Sequence, residues 1–235
     1  MVKRSSINLL LIETSTEVCS VAMAVDGKIA AEREIKEHKA HARVISRFIQ
    51  EVLEEAKLEV SDCSAIVVSE GPGSYTGLRV GVSVAKGICY GASIPLIAIG
   101  SLELIARLAL EKIGTLDSPY KIVPMIDARR MEVYTAIFDH NYKQLTKTEA
   151  HILSEQSYAD ILSEGKVIFT GDGSDKFKAL AGHPNAIFVD GYASARGMLA
   201  PAMEKYKRSE FADVAYFEPF YLKDFIAGVS KRSLL

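Results

Sequence analysis

The apolar positions change period along the chain, and each change predicts an element. Ile7–Glu13 is a nearly continuous apolar run, as expected of a strand buried on both faces. Val18–Val25 and Lys28–Ile35 follow as two further strand-like runs, separated by Asp26-Gly27. That dipeptide is a strong hairpin signal, because it tolerates the positive φ a two-residue turn requires. The period then shifts. Val44, Ile45, Phe48, Ile49, Val52, Leu53 and Ala56 form one apolar stripe with charge opposite, which predicts a helix. Ala65–Ser69 predicts a short strand entering Gly71-Pro72-Gly73, and Tyr75–Gly91 predicts a helix despite glycines at 77, 81, 87 and 91. Ile94–Ile99 is another strand, and Ser101-Leu102 opens a helix reaching about Lys112.

After this the pattern restarts. Lys121–Asp127 is a strand ending in a carboxylate, as Ile7–Glu13 is, and Glu132–Asp139 alternates as a second strand. His140-Asn141 takes the place of Asp26-Gly27, and Lys143–Ala150 is the expected returning strand. Lys166–Thr170 enters Gly171-Asp172-Gly173 and a helix, much as Ala65–Ser69 enters its own glycine turn. The halves read as one unit used twice, giving an α/β protein of two lobes, each a mixed sheet flanked by helices. The expected N-terminal lobe covers residues 1–105 and the smaller C-terminal lobe residues 106–194. The helix over Ala195–Arg208 and the aromatic tail Tyr216–Phe225 are expected to pack back, so that residues 195–235 complete the first lobe.

Composition changes little in this picture but excludes several functions. The chain has 235 residues, 49% hydrophobic and 25% charged, with a net charge of −2, which argues against disorder. A protein that grips nucleic acid unaided usually carries a basic surplus, and this one does not. Cys19, Cys63 and Cys89 form no CxxC pair, so neither a zinc knuckle nor a disulfide framework is indicated. The N-terminal apolar run meets Glu13 too early for a secretory segment, and no stretch reaches the roughly 18–20 apolar residues of a membrane span. A cytoplasmic location with no membrane contact is the expectation.

Candidate chemistry gathers at the strand ends. Glu13-Thr14-Ser15-Thr16 combines a carboxylate with hydroxyls that can hold hydrated magnesium and phosphate, or merely satisfy a turn. Gly71-Pro72-Gly73-Ser74-Tyr75-Thr76-Gly77 matches neither a Walker A loop nor GxGxxG, and Ser74 lacks the glycines of a nucleophile elbow. Gly77, Gly81 and Ala85 recur every four residues, a small-residue stripe that reads as very close packing by another helix of this chain or a second one. His38 and His41 read as a solvated pair rather than metal ligands, since no third ligand is nearby. In Asp127-Ala128-Arg129-Arg130 the arginines can meet phosphate, a partner's acidic patch, or a surface carboxylate.

The segments IETSTEVCSVAM (12–23), VVSEGPGSYTGLRVGVSVAKGICYG (67–91), IPLIAIGSLE (94–103), MIDARRMEVYTAIF (125–138), TGDG (170–173) and FEPFYLKDF (217–225) carry a resemblance. They resemble the actin/sugar-kinase/Hsp70 (ASKHA, ribonuclease H-like) superfamily and, more closely, the TsaB (YeaZ) family. That resemblance implies a non-catalytic subunit of the machinery that places threonylcarbamoyladenosine next to the tRNA anticodon. Its implied partners are a TsaD-type catalytic subunit, as a heterodimer, and a TsaE-type ATPase, with a homodimer in isolation and most tRNA contact left to those partners. The catalytic relative carries an HxxxH metal pair where this chain has Ser101 and Ile105, so no metal site and no catalytic residue is implied. The implied partner surface lies on the first two helices, with Val44, Phe48, Gly73, Tyr75, Gly77, Leu78, Gly81, Val82 and Ala85, and Gly81→Arg is expected to break pairing. Vestigial nucleotide positions would be Glu13, Thr14, Ser15, Asp127, Arg129, Gly171 and Gly173. The phosphate hairpins lack the superfamily's glycines, so no cofactor is required and any ATP or ADP binding is expected to be weak. The alternative reading is a small-molecule kinase or ATPase of the same superfamily.

Overall fold

A computed structural model describes residues 6–37, 40–114, 116–117 and 119–223. His38 of the expected solvated pair, and the end of the aromatic tail from residue 224, lie outside the described residues, while His41 is not solvated but buried, its Nε2 3.3 Å from Val18 O. Strands β1 (Asn8–Glu13), β2 (Val18–Val25) and β3 (Lys28–Lys36) form an antiparallel meander, followed by helix α1 (His41–Ala56) and strand β4 (Ala65–Gly71). Helix α2 (Tyr75–Ala92), strand β5 (Leu96–Gly100) and helix α3 (Ser101–Ile113) complete the first unit. The β2–β3 turn takes positive φ at Asp26 and Gly27, as that dipeptide predicts. The second unit is β6 (Tyr120–Asp127), β7 (Glu132–Thr135), β8 (Phe138–Asp139), β9 (Glu149–Ile152), α4 (Ala159–Glu164), β10 (Lys166–Thr170), α5 (Ser174–Lys178) and β11 (Ala186–Val189). A 3-10 turn over Ala195–Met198 then leads into α6 (Leu199–Lys207).

The first sheet has the order β3-β2-β1-β4-β5 and the second β11-β10-β6-β7-β9, with β8 also on β6. Read from opposite ends, the two orders are the same. In each, a central strand (β1 or β6) pairs antiparallel with the strand that follows it and parallel with the strand before the glycine turn. The duplication expected from the restarting pattern is therefore a repeated topology.

The second unit departs from expectation along its meander. Glu132–Asp139 was expected as one strand and is divided into β7 and β8, although both keep one register on β6. The interruption falls opposite Pro124, which has no N–H to give the ladder, and the Thr135 hydroxyl instead donates to the Pro124 carbonyl at 2.9 Å. The expected returning strand Lys143–Ala150 shortens to Glu149–Ile152, with a single bridge between Phe138 and Gln144. Helix α5 spans only 5 residues where α2 spans 18.

Strand alternation decides which layer each face meets. Leu10 and Ile12 face α1 and α2, together with Ile45, Phe48, Val52 and Val82. Leu9 and Leu11 face α3, whose Leu102, Leu104, Ile105, Ala106, Leu108 and Ala109 are all buried. The same cluster continues into Ile122 and Ile126 of β6 and Ile168 of β10, so α3 is packed between both sheets. The boundary expected near residue 105 falls inside this helix. Beyond α6 the chain returns over the first unit: Ala212 N donates to Leu96 O at 2.8 Å and Phe220 N to Glu70 O at 2.7 Å. Among the described residues, no helix is long and apolar enough to cross a membrane.

Candidate functional site

At the C-terminal end of β1, Glu13, Thr14 and Ser15 are each 0% exposed. Thr14 and Ser15 lie beneath the glycine series on the next loop and helix. A Cβ on Gly73 would lie 2.1 Å from Ser15 O, one on Gly77 2.1 Å from Thr14 O, and one on Gly81 2.2 Å from Thr14 Oγ1. Only hydrogen fits at these positions, so the N-terminal half of α2 seats directly on the β1 turn. Ser74 N donates to Ser15 O at 2.6 Å, and Ser74 Oγ caps α2 by accepting from Gly77 N at 3.2 Å. Ser15 N donates to Glu13 Oε1 at 2.5 Å, while Glu13 Oε2, Thr14 Oγ1 and Ser15 Oγ have no hydrogen-bond partner within the described protein. Burial, reinforced by the Asp172 charge, pushes the Glu13 carboxyl up to about 7.

The small-residue stripe therefore has a different neighbour from the one expected. Gly77 and Gly81 touch a turn of the same chain, not a helix, because α2 crosses the end of β1 before it meets α1. Val44, Phe48, Leu78, Val82 and Ala85 are likewise buried within the single chain. A side chain at Gly81 strikes the fold itself, so Gly81→Arg does not report on a partner surface.

The second unit repeats the arrangement. Gly171 has φ +98°, and its Cβ would lie 2.2 Å from Met125 O; that on Gly173 would lie 2.8 Å from Val133 Cγ1. Both glycines accommodate the close approach of β6 and β7. Asp172 between them is pushed up by burial, and its Oδ1 accepts from Asp127 N at 3.0 Å. Asp127 is bridged by Lys176 at 2.7 Å and accepts from Arg129 N at 2.6 Å. Glu13 and Asp172 thus bring one carboxylate from each sheet into electrostatic contact. Arg129 is exposed at the tip of the β6–β7 hairpin.

The open surface on the first two helices lies beside the predicted residues. A groove of about 580 Å³ runs between α1 and α2, lined on α1 by Ala42, Ile45 and Ser46, and on α2 by Tyr75, Thr76, Arg79, Val80, Ser83 and Val84. Tyr75 is the one predicted surface residue that lines it. Around the helix from this groove, Gly87 and Gly91 continue the four-residue spacing from Ser83; a Cβ on either meets nothing within 4 Å. Tyr90 between them is 86% exposed. This second stripe was legible in the spacing, but the sequence holds two such stripes and nothing local says which faces outward. At the groove's end, Arg79 lies 4.2 Å over the Tyr75 ring, and its Nε donates to Tyr221 Oη at 3.2 Å. That contact joins residues 142 positions apart, beyond reach of local pattern.

A family model described as TsaD, tRNA N6-adenosine threonylcarbamoyltransferase, matches residues 28–229. The chain belongs to that family. Within it, the chain is 29% identical over 226 residues to the tRNA threonylcarbamoyladenosine biosynthesis protein TsaB of Escherichia coli K12, covering 93% of this chain and 96% of the relative. The structure of YeaZ from Pseudomonas aeruginosa aligns with a TM-score of 0.81 at 24% identity, over 92% of this chain and 100% of that one. The ADPNP-bound activator of 2-hydroxyisocaproyl-CoA dehydratase from Clostridium difficile shares the fold at a TM-score of 0.51 and 12% identity, over 87% of this chain and 97% of that one. The TsaB (YeaZ) resemblance and the duplicated actin-like fold read from the sequence both stand.

Proposed function

We propose that this chain is a non-catalytic pairing subunit in tRNA threonylcarbamoyladenosine biosynthesis, docking a TsaD-type catalytic subunit through the outward face of α1 and α2. The open groove there, continued by Ser83, Gly87 and Gly91, is the observation that carries this reading. Small residues on an exposed helix face let a second helix approach closely, with Tyr90 and Val80 offering apolar contact. The same face would close a homodimer in isolation, which the catalytic subunit displaces, and a TsaE-type ATPase would join the pair.

Two features support a non-catalytic role. Ser101 and Ile105, one turn apart on α3, are both 0% exposed and neither side chain is a useful metal ligand. The β1 turn that would meet nucleotide phosphate is closed beneath α2, which also counts against the kinase or ATPase alternative. We propose that the chain needs no cofactor of its own.

Reconstituted tRNA threonylcarbamoylation, run from one organism's components with and without this chain, tests the role. Modification should vanish on omission, while the chain alone modifies nothing; equal modification without it overturns the proposal. Ser83→Arg tests the face without entering the core, since Ser83 is exposed. Pairing should weaken at least about tenfold by titration calorimetry, the effect of one bulky charge in a packed contact. Unchanged affinity would remove α2 from the interface.

A further inference from the structure

The arginines among the described residues divide into two kinds. Arg33, Arg43, Arg47, Arg107, Arg196 and Arg208 each meet a carboxylate, and Arg79 lies over Tyr75. Arg129 and Arg130, adjacent at the β6–β7 tip, are exposed and have no ion pair or side-chain hydrogen bond among the described residues. Nearby acids do not compensate them. Asp127 is held by Lys176, and Glu132 by Lys223. Asp172 lies beneath the hairpin, where the Lys36 charge opposes its own. The tip is left with two uncompensated positive charges.

The backbone there is also unusual for such residues. Arg129 has φ +72° and Arg130 φ +50°, left-handed values that glycine and asparagine adopt far more readily. Turn formation alone would favour Asn-Gly at these positions. Met131 adds an apolar surface, 42% exposed, beside the guanidiniums.

We propose that the Arg129–Met131 tip is an RNA contact, in which the two guanidiniums grip phosphates of the tRNA held by the assembly. This rests on the proposed function for the identity of the RNA. Guanidinium forks match phosphate oxygens and stay charged at any physiological pH, and Met131 suits the flank of a ribose or base. A projecting hairpin reaches a large ligand, whereas a free nucleotide needs an enclosing pocket. The tip lines neither that α1–α2 groove nor the one beside α6. Two contacts fit a near-neutral subunit that contributes only part of the assembly's grip.

The test replaces Arg129→Asn and Arg130→Gly together, residues that suit the left-handed backbone, so the melting temperature should hold or rise. The assembly of this chain with its TsaD-type and TsaE-type partners is titrated with fluorescein-labelled tRNA by anisotropy at several salt concentrations. The double variant should bind roughly tenfold more weakly, with the slope of log affinity against log salt reduced by about 1–2. Arg129→Lys with Arg130→Lys should recover most of that slope, because the charges remain. Unchanged tRNA affinity and slope overturn the proposal. So does lost pairing with the catalytic subunit at unchanged tRNA affinity, which would make the tip a protein contact, or a change confined to ADP or ATP binding. Failure of the proposed function reads out separately, as absent pairing by the parent chain. In that case the parent and variant chains alone, titrated with the same tRNA, still decide the matter: equal binding overturns the RNA contact.

Discussion

Glu13 shows how much one buried position can decide. It is the only fully buried carboxylate among the described residues, and hydrogen bonding, chiefly from Ser15, does not offset the loss of water. The fold therefore favours the protonated form. Its contribution to stability is fully present near pH 4.5 and below, and is lost as pH rises through about 7. That window is worth about 3 kcal/mol at roughly 1.4 kcal/mol per pH unit. Glu13→Gln mimics the protonated acid, so the stability difference between parent and variant should move by that order between pH 4.5 and 8. Urea melts at both ends of the range measure it; a constant difference would show that Glu13 titrates alike in the folded and unfolded chain. The residue's place at a strand end was legible from the apolar run before it. Its burial was not, because by strand alternation its side chain lies on the Leu9 and Leu11 side of the sheet, where the second unit brings Asp172 near.

The second helix carries two small-residue stripes with opposite tasks. Gly73 (in the preceding loop), Gly77 and Gly81 are spaces that the Thr14–Ser15 turn fills, and Gly87 and Gly91 are spaces that nothing in this chain fills. Gly87→Ala should therefore stabilise the isolated chain by about 0.5–1 kcal/mol, since alanine has less backbone freedom to lose and meets no neighbour. The proposed docking makes the same substitution unfavourable for pairing. A raised melting temperature with weakened partner affinity is the expected combination. A gain in stability with unaltered pairing would place the partner away from Gly87. Periodicity identified α2 and its inner stripe, but not the outer one or the turn that the inner one meets. It could not assign inside and outside, because both stripes have the same spacing and much the same residue types.

At the scale of the whole molecule, the returning chain ties the two sheets together. Residues 212–223 pair with β5 at Leu96, run along α2 where Lys86 Nζ donates to Phe217 O at 2.9 Å, and cross to β7 where Lys223 meets Glu132. Tyr221 sits near the end of that path, its ring centroid 4.8 Å from that of Tyr75. Tyr221→Ala should cost roughly 1–2 kcal/mol and lower the melting temperature by several degrees, in keeping with the loss of one partly buried aromatic contact. Calorimetry reads this, and a drop below one degree would mean the tail lies loosely on the helix. Element order, the hairpin at Asp26-Gly27 and the duplication follow from the sequence alone, because local period and turn chemistry act over a few residues. The interruption opposite Pro124 was also present in that one residue, although its effect needs the register of β7. Tertiary structure alone decided which glycines are filled, which carboxylate loses its water, and which arginines stay unpaired. Each of these depends on what a distant segment brings within a few ångströms, and no spacing along the chain encodes that distance.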